Sequence, residues 1–300
     1  MRPAPGSRQG LAFGVGLVVM LMWGASFTAQ KEIFAAMSIG GYLFARYVLL
    51  APCALVLLLT LAKPGRAKLT AADWRDVVRA GLVGPFGQVA VVSYGIDLST
   101  AFSSSLLVAC GPVFTLLILH LLGVERLKRA QVLGATIAFG GIIVFFWDKL
   151  SRADWTASLG DAMVLGGTLL LSLYTVMIKP LIARHGAVPV ICVTNLVAAA
   201  PMMLLGGVAA AAVHWQDISP SIWLAFAWVV FMVTFLGWMA WGWVNSERGV
   251  ARSAPLLYLM PPVAGVVAWW VSGETFSVPK LVGAAIAMAG VAMAQWAEWR

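Results

Sequence analysis

Residues 256–274 read LLYLMPPVAGVVAWWVSGE, and residues 106–125 read LLVACGPVFTLLILHLLGVE. Each opens on two leucines, meets a proline a few residues on, continues as an apolar run and closes on glycine and glutamate. Aligning the two sets Pro112 on Pro262, Glu125 on Glu274, Gly134 on Gly283 and Gly141 on Gly290. Lys31, after the first apolar run, falls on Lys179, after the sixth, and all the offsets lie between 148 and 150 residues. The chain therefore says one thing twice, and the divide falls near residue 150.

Those runs sit in a chain of 300 residues that is 61% hydrophobic and 11% charged, with mean hydropathy +0.92. Soluble domains carry about 25% charged residues, so this chain cannot cover a water-facing surface. Its apolar runs have the length that spans a bilayer, roughly 17–25 residues as helix. They do not alternate as barrel strands would, and in lipid a lone segment must satisfy its own backbone by forming a helix. The expected class is an all-α membrane protein with ten transmembrane helices. The spans are expected at 10–32, 39–62, 76–96, 99–122, 129–147, 160–182, 187–212, 219–245, 250–271 and 278–297. The basic start MRPAPGSRQG leads into an apolar run too long for a signal peptide, which reads as an uncleaved first helix.

Placing the N-terminus inside puts fifteen of the 20 Lys and Arg residues in inside loops and ends, and four outside, with Arg46 left within a span. This is the asymmetry of a chain with both termini cytoplasmic. The formal charge of +8 is thus an orientation signal and not a nucleic-acid surface. Two halves, 1–150 and 151–300, of five spans each would enter the membrane from opposite sides, because five is odd. That is an inverted repeat, the plan of many secondary transporters, in which exchange between two arrangements gives alternating access.

The first span carries a WG-small-F pattern (Trp23, Gly24, Ala25, Ser26, Phe27), and the second reads FARY over Phe44–Tyr47. With the doubled Leu-Leu…Pro…Gly…Glu segments, this order resembles the drug/metabolite transporter superfamily, in its EamA-type ten-span branch. The Trp- and Tyr-rich spans also resemble the aromatic amino-acid exporters of that superfamily. In the first half Gly-Val-Glu stands where Gly-Glu is more usual. The resemblance implies a central cavity between the halves and export of small organic solutes across a bacterial cytoplasmic membrane. It also implies a scaffold of spans four, five, nine and ten.

All twelve acids are expected in loops or at span ends. With no mid-membrane carboxylate to carry a proton, facilitated diffusion or exchange is favoured over proton coupling. Arg46 sits two turns into span two. It either faces the cavity mouth and attracts a carboxylate, or snorkels and caps helix carbonyls. Trp238 and Trp241 share a helix face with Asn245 by three- and four-residue spacing. Tyr94, Tyr174 and Tyr258 carry hydroxyls that need partners in a dry interior. Trp23, Ser26, Gln88 and Asn195 complete the candidate substrate-binding set. Apolar walls with a few placed polar groups suit an aromatic or aliphatic amino acid. Pro112, Pro261 and Pro262 are candidate hinges, each expected to free a carbonyl and kink its span. The partners expected are a small-molecule substrate and the lipid bilayer, with oligomeric state left open.

Other classes lack their residues. His120, His185 and His214 are scattered, and Cys53, Cys110 and Cys192 lie in apolar runs without ligand spacing. No catalytic cluster, metal or cofactor is expected. A channel filter is not visible, and phosphorylated substrates would want several intramembrane cations where Arg46 stands nearly alone.

Overall fold

The computed structural model describes residues 5–61, 69–124, 127–151, 155–248 and 253–296. Among these there are ten helical spans and no strand. They are α1 (Pro5–Met37), α2 (Ile39–Leu61), α3 (Ala71–Leu98), α4 (Ala101–Leu121) and α5 (Arg129–Ser151). The second half holds α6 (Trp155–His185), α7 (Ala187–Ala211), α8 (220–248), α9 (254–272) and α10 (Val278–Trp296). Eight are long and apolar enough to cross a membrane, and α9 and α10 are shorter apolar helices. The ten-span architecture read from the sequence is the one observed. The face at which α1 begins is called the N-face below, and the other the far face.

The repeat is written into the backbone. Four described residues have positive φ, and they form two pairs at the repeat offset. Ser38 (φ 58°) is the single residue between α1 and α2, and Gly186 (φ 86°) is the single residue between α6 and α7. Gly123 (φ 69°) and Gly273 (φ 63°) follow α4 and α9. An L side chain is disfavoured there. At Ser38 the hydroxyl compensates by accepting the Gly41 N–H at 3.2 Å.

Two differences from expectation have local reasons. Helix α3 starts five residues earlier than read, because Thr70 and Asp73 form a capping box. The Asp73 N–H donates to Thr70 Oγ1 at 3.2 Å, and the Thr70 N–H to Asp73 Oδ2 at 3.0 Å. Asp73 also takes Arg184 at 2.7 Å and His185 at 3.2 Å, tying α3 to the end of α6. The prolines are the second difference. Helix α4 breaks at Cys110, and Pro112 lies in the first turn of its second segment. Pro261 and Pro262 likewise open the α-helical part of α9, after a 3₁₀ stretch over Ala254–Leu259. The missing N–H of a first-turn proline has no intrahelical partner to lose. These prolines therefore start helices and do not interrupt running ones. Glu125 lies outside the described residues.

Packing closes eight helices into a ring. In order around it are α9, α1, α8, α2, α7, α3, α6 and α4, with α4 returning to α9. Helices α5 and α10 stand outside the ring and pack on each other more extensively than any other pair. Across the ring the two faces differ. On the far face the end half of α3 meets both α1 and α2. On the N-face the corresponding half of α8 makes no comparable contact with α6 or α7.

Candidate functional site

Helices α3 and α8 each change register near mid-span. Leu82–Gln88 and Trp228–Leu236 are π-helical, and the repeat offset lays one on the other. A π stretch holds one residue more than an α turn and leaves carbonyls poorly matched. Side chains from neighbouring helices meet them. Trp23 Nε1 donates to the Val233 carbonyl at 3.1 Å, and the Tyr47 hydroxyl donates to the Pro85 carbonyl. Val233 and Pro85 are themselves repeat equivalents, 148 residues apart. Interrupted helices at matching positions of two halves are where transporter sites are built.

Removing the Tyr47 donor should therefore strand a buried backbone acceptor. Tyr47→Phe is expected to cost about 1–2 kcal/mol, read as a lower thermal midpoint in detergent.

Around the α8 stretch the candidate residues converge. Arg46 donates to the Tyr42 hydroxyl at 2.7 Å and to Thr234 Oγ1 at 3.3 Å. Its guanidinium also lies 5.8 Å from the centre of the Tyr42 ring. Its Nε is buried without a partner, and among the described residues no carboxylate pairs with it. Trp23 lies between Trp238 and Trp241, with ring centres at 5.1 and 5.8 Å. Gly237 permits this approach: a Cβ there would stand 2.7 Å from Trp23 Nε1.

Which way the tryptophans face follows from helix geometry. Leu236 and Ala240 line an apolar groove of about 620 Å³ with Gly10, Leu11, Gly14 and Val18 of α1. At 100° per residue, Trp238 projects from the opposite side of α8. That side carries Thr234 towards Arg46, and so looks into the ring. Trp238 is 55% exposed there, and Asn245 has a buried Oδ1 without a partner among the described residues.

The other candidates are spread more widely. Tyr174 bonds Thr194 across α6 and α7 at 3.1 Å, and its ring covers Gly84 of the π stretch in α3. Gln88 closes that stretch, half-buried. Tyr94 and Tyr258 are half-buried on α3 and α9 and pack against the core. Ser26 is buried and donates to its own helix at Trp23 O, 2.7 Å away. Asn195 Nδ2 donates to its own helix at Ile191 O, 2.9 Å away. These two spend their donors locally and are not gathered with the Arg46 group.

Sequence reasoning passed over Tyr42, Tyr47 and Thr234. Tyr42 was findable, lying one turn before Arg46. It also placed Asp161 at a span edge, whereas the residue lies inside α6, is 0% exposed and accepts the Ser99 hydroxyl.

A profile of the EamA-like transporter family matches the chain twice, over residues 10–147 and 158–295. A Streptantibioticus cattleyicolor protein named a probable terminal-alkyne amino-acid exporter is 27% identical, covering 92% of this chain and 90% of its own. A Salmonella typhimurium protein named a probable amino-acid metabolite efflux pump is 26% identical, covering 70% of this chain and 73% of its own. A protein crystal structure, 17% identical, superposes with TM-score 0.63 over 97% of this chain and 99% of the other.

Proposed function

The chain belongs to the EamA-like transporter family, and from that premise we propose that it exports aromatic and other hydrophobic amino acids. It is a multi-pass membrane transporter. The observation that carries the finer reading is Arg46: a cation inside the ring, held by neutral hydroxyls, with no acid beside it among the described residues. A buried cation is costly until an anion meets it. An α-carboxylate is such an anion, and the Trp23–Trp238–Trp241 wall suits the side chain that comes with it. The two relatives named for amino-acid export support the same class.

The excess of Lys and Arg makes the N-face cytoplasmic in a bacterial inner membrane, with both termini inside. One chain contains both halves of the ring, so a monomer suffices. Cargo moves by facilitated diffusion or exchange. Proton coupling is the second reading, and Asp161, a fully buried carboxylate in α6, is what favours it.

Counterflow of labelled phenylalanine into liposomes, with and without a pH gradient, tests the proposal. Counterflow indifferent to the gradient supports facilitation, gradient-driven flux supports the Asp161 reading, and no flux from folded protein removes the amino-acid proposal. Trp238→Ala and Trp241→Ala should each weaken half-saturation by phenylalanine about tenfold, and by alanine far less. Equal losses for both solutes would take the tryptophans out of the site.

A further inference from the structure

On the far face, Lys31 of α1 reaches the end of α3. Its Nζ donates to the carbonyls of Ile96 at 3.1 Å, Asp97 at 2.9 Å and Ser99 at 2.5 Å. These lie at or just past a helix C-terminus, where unpaired carbonyls and the negative end of the helix dipole attract a cation. The bond crosses the ring, and it lies where α3 closes on α1 and α2. Ser99 continues the connection, since its hydroxyl donates to Asp161 of α6.

Lys179 of α6 is the repeat equivalent of Lys31. The repeat places opposite it the last turn of α8, where Val244, Asn245 and Glu247 correspond to Ile96, Asp97 and Ser99. Here the bond is not made. Among the described residues Lys179 is exposed and makes no hydrogen bond or ion pair, Asn245 Oδ1 is buried without a partner, and the end of α8 makes no substantial contact with α6. One chain thus shows the same lysine device closed at one face and open at the other.

We propose that Lys31 and Lys179 are reciprocal latches that position the transport cycle. Lys31 on the end of α3 seals the far mouth while the N-face mouth stands open. Lys179 on the end of α8 seals the N-face mouth when the far mouth opens. Lys31 contacts backbone and not cargo, and the latched Lys179 would do the same at the end of α8, so both act as positioning residues. The inference rests on the chain being an alternating-access transporter, but not on which solute it carries. Because a lysine is exchanged for a lysine, neither state is favoured by charge alone.

The test needs no substrate. Cys53, Cys110 and Cys192 are replaced, and Ser93→Cys is introduced as a reporter. Ser93 is 3% exposed on the far half of α3, on the side turned away from α6. The protein is held in lipid nanodiscs, where both faces are reachable, and maleimide labelling of the reporter is timed. With Lys31 intact, labelling should be slow. Lys31→Met should speed it about tenfold, the worth of one charge-assisted hydrogen bond. Lys179→Met should slow it further, and the double variant should return towards the parent. Lys179 is exposed and bonds to nothing among the described residues, so its variant should fold whatever happens to Lys31→Met. Unchanged labelling in Lys179→Met, or faster labelling in both single variants, would overturn the proposal. The second outcome would mean general loosening in place of opposed latches.

Discussion

Replacing Arg46 with methionine is expected to raise the phenylalanine concentration for half-maximal counterflow by about 50-fold, with the protein still folded. The reasoning starts from what Arg46 already has. Among the described residues its two bonds go to the hydroxyls of Tyr42 and Thr234, and its Nε has no partner. Methionine keeps the length and the apolar stem while deleting every donor. Thr234 can lose this partner cheaply, because it also donates to Val229 O at 3.1 Å, and the Tyr42 ring stays held edge-on by Phe34 and Phe226. A carboxylate cannot. In the low-dielectric ring it would lose a charge-assisted bond. Arg46→Lys should fall between, since an ammonium keeps the charge but not the planar fork. Phenethylamine, which lacks the carboxylate, should compete equally in parent and variant. If half-saturation by phenylalanine is unchanged in Arg46→Met, the arginine serves only to join α2 to α8.

How much of this could be read beforehand divides along a physical line. Apolar length, loop charge and the spacing of Pro112, Pro262, Gly134 and Gly283 are side-chain facts. They carried the ten spans and the inverted halves. What escaped was decided by backbone. The stretch WVVFMVTFL is as apolar as its neighbours and nothing in it announces the extra residue of a π turn, and in LVGPFGQ Pro85 marks a disturbed hydrogen-bond ladder without saying that a π turn accommodates it. The ligands of Lys31 are three carbonyls, which every residue has, so Lys31 could be matched to Lys179 but not to its partners. Pro112 and Pro262 were visible, yet a proline that starts a helix and one that kinks a helix look alike until the preceding turn is known. Within the site, Arg46 and the tryptophans were legible because charge and ring area are rare in such a chain. Ser26 and Asn195 were equally visible, and only geometry shows their donors turned to their own helices.

The second large effect lies away from the cavity. Gly141→Ala is expected to destabilise the protein by about 3 kcal/mol, while Gly140→Ala, one residue away, should leave the thermal midpoint within a degree or two or raise it. At Gly141 a Cβ would run into the backbone of Ala287 and stand 2.8 Å from the Gly283 carbonyl. At Gly140 a Cβ would meet nothing within 4 Å. The contact is mirrored: Gly290 meets the backbone of Ala138, with the Gly134 carbonyl at 2.7 Å. The two small-residue motifs, Gly134 with Ala138 and Gly283 with Ala287, therefore mesh across the α5–α10 seam. Backbone cannot swing aside as a side chain can, so the helices must separate. In lipid there is no hydrophobic gain to hold them together once close packing is lost. The seam stands outside the ring, and among the described residues neither of its helices packs substantially on α1, α2 or α8, which carry Arg46, Trp23, Trp238 and Trp241. Gly141→Ala should accordingly lower the midpoint in detergent while half-saturation by phenylalanine in the folded fraction stays as it was. A parallel shift in both would mean that α5 and α10 move with the transport cycle, and that the fixed frame must be sought elsewhere in the ring.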